Sequence, residues 1–155
     1  MKSFPKLIIS LALPFIAGGI GSYFTISSID SWYHTLEKPS FSPPDFLFGP
    51  VWTALYILMG ISFYLIWTSK GSKNKERAIK LFLIQLFLNT SWSIVFFGFQ
   101  NPLLGLVNII ALWVMIFLTI RAFFLISRSA SYLLLPYILW VSFASILNFA
   151  IVVLN

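Results

Sequence analysis

Three stripes of side chains set aromatic rings and hydrogen-bonding groups inside otherwise apolar sequence. Gln85, Asn89, Trp92 and Phe96 recur at i, i+4, i+7 and i+11, one narrow face of a helix. Tyr137, Trp140, Ala144 and Asn148 share a face in the same way, as do Trp52, Tyr56, Met59 and Phe63. The chemistry these types offer is recognition rather than bond breaking. Indole and phenol rings supply stacking faces and large buried area. Asparagine amides and indole N–H groups supply a few directed hydrogen bonds. The chain has no cysteine, which excludes disulfides, thiolate metal sites and cysteine nucleophiles. His34 is the sole histidine and stands in a loop, where it reads as a surface or packing residue. No nucleophile–base pair or metal-ligand spacing is present.

The elements that carry these stripes follow from composition. Of 155 residues, 59% are hydrophobic and only 9% charged, against about a quarter charged in soluble domains. Mean hydropathy is +0.94. So few charges cannot cover a water-facing surface, so the solvent around most of the chain is lipid. Five apolar stretches, 7–29, 51–68, 81–99, 103–126 and 133–154, are each near the ~20 residues that cross a hydrocarbon core as a helix. Barrel strands are about half that length. The expected fold is therefore all-α: one domain over 1–155, an integral membrane bundle of five transmembrane helices. The first stretch follows Lys2 and Lys6 as a signal peptide would. It is longer than a usual signal core and lacks a small-x-small site, while Pro14 and the Gly18-Gly19-x-Gly21 cluster suit a kinked, closely packed span.

Charge sets the expected orientation. Lys2, Lys6, Lys70, Lys73, Lys75, Arg77, Lys80, Arg121 and Arg128 fall on one side, and only Lys38 on the other. The positive-inside bias predicts a cytoplasmic N-terminus and an outward C-terminus. The expected location is a bacterial cell membrane. The net charge of +6 is thus a topology signal, with an anionic-lipid contact as the lesser reading and no nucleic-acid partner. Short links such as Asn101-Pro102 and Arg128–Tyr132 make neighbouring helices antiparallel.

The first outward connection, 30–50, is the exception in length. It holds four prolines, three of the four acidic residues (Asp30, Glu37 and Asp45), and apolar anchors including Trp32, Tyr33, Phe41 and Phe48. Prolines restrict its path and the anchors argue against disorder, so it is expected as a structured Pro/Trp-rich lid. At ~1.5 Å per residue, the three stripes overlap in depth beneath it. Pattern alone leaves two readings open: ordinary interhelical packing with Asn89 and Asn148 as hydrogen-bond glue, or the wall of one cavity.

The words themselves are specific. W-Y-x-x-L-x-K-P (Trp32 to Pro39), S-F-S-P-P (Ser40 to Pro44) and G-P-V-W-x-x-L-Y (Gly49 to Tyr56) stand in order. They are followed by Q-L-x-L-N-x-x-W-x-x-x-F-F-G (Gln85 to Gly98) and P-Y-x-x-W-x-x-x-A-x-x-L-N (Pro136 to Asn148). Together they resemble the TspO/MBR family of translocator and tryptophan-rich sensory proteins over nearly the whole chain. The resemblance implies a five-helix bundle, commonly a homodimer, that binds porphyrins and other flat hydrophobic ligands under the first loop. Its pocket positions correspond here to Trp32, Trp52, Tyr56, Asn89, Trp92, Trp140, Ala144 and Asn148, and the helix-three stripe adds Phe96. Two departures stand out. Ile94 occupies a position where the family often has proline, which removes the usual cause of a kink. The animal sterol motif after the fifth-helix asparagine lacks its base here, and Leu58, Tyr64 and Lys70 match a sterol-type pattern only at maximal spacing.

The expected function is a membrane receptor or handler for tetrapyrroles. Porphyrin is the ligand, no cofactor is required, and membrane lipid is the other partner. Lys38 is the one outward base that can meet a ligand carboxylate. Two alternatives stay open: light- and oxygen-dependent porphyrin degradation, and transport of porphyrin or lipid-like molecules.

Overall fold

The computed structural model describes residues 3–155, so Lys2 of the charge count lies outside the described residues. The helices are α1 (Phe4–Ile29), α2 (Phe48–Trp67), α3 (Lys75–Ser93), α4 (Pro102–Phe124), α5 (Arg128–Leu133) and α6 (Leu135–Leu154). No strand occurs among the described residues. Five segments are long and apolar enough to cross a membrane: Phe4–Ile29, Asp45–Trp67, Lys75–Gly98, Pro102–Phe124 and Arg128–Leu154. The expected five spans stand, with one refinement. Arg128–Tyr132, expected as a plain link, is part of the short helix α5 that runs into α6.

Local chemistry sets the helix ends. Asn101 caps α4 by accepting from the Leu104 N–H at 3.0 Å, with Pro102 in the first turn where its missing donor costs nothing. Ser127 caps α5 by accepting from the Ala130 N–H at 3.2 Å. Large apolar side chains such as Ile16, Phe87, Val107, Leu139 and Ile146 are exposed around the bundle, as a lipid-facing surface requires.

Inside, α1 packs on α2 and α3, α3 on α4, and α4 on α6, while α5 bridges α2 and α4. Small hydroxyls tie these contacts together. Ser62 Oγ donates to the Ala130 carbonyl at 2.7 Å, Thr90 Oγ1 to the Ala17 carbonyl at 3.1 Å, and Asn108 Nδ2 to Ser91 Oγ at 2.9 Å. Such interhelical bonds replace a hydrophobic driving force that lipid does not supply. At Pro14 the helix loses the bond to the Ser10 carbonyl. There α2 packs tightly on α1: a Cβ on Gly60 would lie 2.9 Å from Leu11 Cα and 3.0 Å from Ser10 O.

Two segments position the site. The chain does depart from α-helix after Ser93, although Ile94 is not proline. Ile94–Gly98 forms a π turn, closed by the Phe99 N–H donating to the Ile94 carbonyl at 2.9 Å. The wider turn buries Phe96 and Phe97, and the Phe97 carbonyl accepts from Ser28 Oγ of α1 at 2.7 Å. The first loop is ordered by short 3₁₀ turns at Tyr33–Thr35 and Asp45–Leu47. Asn155 pairs with both backbone groups of Glu37, accepting from its N–H at 3.1 Å and donating to its carbonyl at 2.9 Å.

Candidate ligand cavity

Between this loop and the bundle lies a cavity of about 310 Å³, lined mostly by apolar atoms. Trp52, Tyr56, Asn89, Trp92, Phe96, Trp140, Ala144 and Asn148 all line it, so α2, α3, the π turn and α6 do converge on one space. Trp32 is not among the lining residues. It packs edge-on against Phe96 at 5.6 Å between ring centroids, while its neighbour Tyr33, buried against Phe96 and Phe97, lines the cavity instead.

The rings form pairs. Trp52 stacks on Tyr56 at 5.6 Å and 28°, and Trp92 stacks on Phe96 at 5.3 Å and 28°. Trp140 meets Phe48 edge-to-face at 6.0 Å. These are favourable aromatic geometries, so the walls are fixed by their own packing.

The polar groups are mostly committed to one another. Tyr137 OH donates to Gln85 Oε1 at 2.8 Å and accepts from Asn89 Nδ2 at 2.8 Å. Tyr56 OH donates to Asn89 Oδ1 at 3.4 Å. Trp92 Nε1 donates to Asn148 Oδ1 at 3.0 Å, and Asn148 Nδ2 donates to the Pro102 carbonyl at 2.8 Å. The two asparagines are therefore interhelical glue and cavity wall at once, and the two sequence readings are not exclusive. One lining donor stands apart: Trp140 Nε1 is buried and has no hydrogen-bond partner among the described residues.

The mouth has its own chemistry. Exposed Ser22, Ile26 and Gly49 belong to the lining, which leaves the cavity open between α1 and the start of α2. Asp45 lines it from the loop. Lys38 Nζ lies 4.3 Å from the centre of the Tyr33 ring, on the loop rather than in the cavity. Burial pushes the Tyr33 hydroxyl above its ordinary range. A hydrogen bond with Ser42 opposes the shift and the Asp45 charge adds to it. His34 is exposed, and no group of three metal-ligating side chains occurs among the described residues.

Sequence reasoning missed the α1 wall: Gly18, Ser22, Thr25 and Ile29 all line the cavity. Their small and polar types at helical spacing were a usable signal. Gly18 matters sterically, since a Cβ there would fall 2.3 Å from Tyr56 Cε2. Ile109 and Leu112 of α4 also reach the cavity, and nothing distinguishes them in sequence from other core aliphatics.

Comparison with known proteins bears on this arrangement. The model of the TspO/MBR family matches residues 10–154. The chain is 51% identical over 150 residues to the tryptophan-rich protein TspO of Archaeoglobus fulgidus, covering 97% of each chain. It is 48% identical over 155 residues to the tryptophan-rich protein TspO of Chlorobaculum tepidum, covering 99% of this chain and 98% of that one. It is 36% identical over 139 residues to the translocator protein of Bos taurus, covering 88% and 82%.

Proposed function

We propose that this chain, which belongs to the TspO/MBR family, is a membrane receptor or handler that binds porphyrins and related flat hydrophobic ligands in the cavity beneath its first loop. The observation that carries this reading is the Trp140 indole N–H, buried without a partner in an aromatic-walled cavity. A buried unpaired donor costs about 1–3 kcal/mol, and a ligand acceptor placed against it returns that cost. A flat ligand gains further from the Trp52–Tyr56 and Trp92–Phe96 stacks. The volume of about 310 Å³ sits at the lower end of ligand pockets, roughly 300–1,000 Å³. A macrocycle therefore enters edge-first and keeps one edge in the mouth beside Lys38 and Asp45. The lateral opening beside Ser22 and Ile26 suits a ligand dissolved in lipid. We further propose that the N-terminus is cytoplasmic and that the mouth faces outward, on the charge asymmetry of the connections.

The test is a titration of the purified chain with protoporphyrin, read by tryptophan fluorescence quenching in the dark and under light. Trp140→Phe keeps an aromatic face and removes the N–H with the pyrrole half of the indole. The expected loss is about two- to tenfold in affinity, the worth of one net hydrogen bond. Unchanged affinity removes the indole N–H from recognition. A defined product that forms only under light, and is lost in Trp52→Phe, selects the degradative alternative over binding alone.

A further inference from the structure

The opposite end of the bundle carries a second groove, of about 900 Å³, that the ligand reading does not use. Asn74 and Arg77 reach it from the start of α3, Phe117 and Arg121 from the last turns of α4, Tyr132 from α5 and Leu135 from α6. Both arginines are exposed, and no lining residue is acidic. The one ion pair among the described residues, Lys80 with Glu76 at 2.9 Å, involves neither of them. A third arginine flanks the groove: the Arg128 guanidinium lies 5.3 Å from the centre of the Phe124 ring, and Phe124 is a lining residue.

Position along the helices orders these groups. Phe117 and Leu118 lie about one turn from Arg121 toward the middle of the bundle. The groove thus has cations and hydrogen-bond donors at its rim and apolar walls below. An arginine fork matches phosphate oxygens bidentately, and Asn74 and Tyr132 can donate to the same oxygens. A free phosphate would use only the rim. An amphiphile uses both parts, and basic pockets between transmembrane helices suit anionic headgroups.

We propose that this groove seats an anionic membrane phospholipid, with Arg77 and Arg121 on the headgroup phosphate and Phe117, Leu118 and Leu135 along the acyl chains. The site is independent of the ligand cavity at the other end. The test is native mass spectrometry of the full chain released from detergent with equal phosphatidylglycerol and phosphatidylcholine. The wild-type chain retains phosphatidylglycerol preferentially, and the double variant Arg77→Gln/Arg121→Gln retains roughly tenfold less. Lys70→Gln/Lys73→Gln removes the same charge from the same end but outside the groove, and keeps wild-type retention. Equal loss in the two double variants would mean diffuse charge attraction and overturn the site. So would undiminished retention in the arginine variant. Displacement of the lipid by an equal concentration of glycerol 3-phosphate would also overturn it, because the groove would then serve a soluble phosphate.

Discussion

Asp45 and Lys38 carry opposite charges on the loop that covers the cavity, and a dicarboxylate ligand must distinguish them. Asp45 lines the mouth, whereas Lys38 is held over the Tyr33 ring. Asp45→Asn removes repulsion and should tighten protoporphyrin binding by about two- to fivefold at low salt; Lys38→Gln should weaken it by a similar factor. Titration at two ionic strengths checks this, since both effects should shrink as salt rises. Unequal legibility at this scale has a physical cause. The residues on helical stripes were readable because a regular helix fixes which side chains share a face. Trp32 was not, because it stands in an irregular turn where one residue of rotation decides between Trp32 and Tyr33. The orphaned Trp140 donor could not be read either, since its state depends on which groups on other helices fail to reach it.

Among the helices, α2 meets the α1 backbone at Gly60, beside Pro14, with no room for a side chain. Gly60→Ala improves intrinsic helix propensity by about 1 kcal/mol. It also drives a methyl to 2.9 Å from Leu11 Cα, which is backbone and cannot rotate away. Overpacking of this kind costs about 1–3 kcal/mol, so the clash should win and the thermal midpoint should fall. A raised midpoint would mean that α1 and α2 are free to separate. The Gly18-Gly19-x-Gly21 cluster was legible as a packing surface, but not what packs on it. Tyr56 occupies the space over Gly18, Ser93 Oγ would stand 3.1 Å from a Cβ on Gly21, and only Gly19 has nothing within 4 Å. The homodimer that the family resemblance implies can use only the exposed Gly19 side of this cluster. At Ile94 the absence of proline was a poor guide, because a π turn bends a helix by adding a residue rather than by removing a donor.

For the molecule as a whole, the five spans were legible because lipid demands long, continuous apolar helices. Orientation rests on the basic residues of the connections, and it makes a direct prediction. A reporter inserted at Ser72 should be active inside and one fused after Asn155 outside; the same side for both would contradict an odd number of spans. The claim that binding occurs in the cavity is best tested through ligand-linked stability of the whole chain. A ligand that binds only the folded state at a hundred times its dissociation constant stabilises it by about 2.7 kcal/mol. Ala144 lines the cavity between Trp140 and Asn148, and Ile146 on the same helix faces lipid. The measurement is the thermal midpoint in lipid nanodiscs with and without protoporphyrin, for wild type, Ala144→Thr and Ile146→Thr. Wild type and Ile146→Thr should show the same ligand-induced rise. Ala144→Thr should keep its ligand-free fold but lose between about a third and nearly all of that rise, as affinity falls by about 1–3 kcal/mol. An undiminished rise in Ala144→Thr, or no rise in wild type, would contradict binding in this cavity.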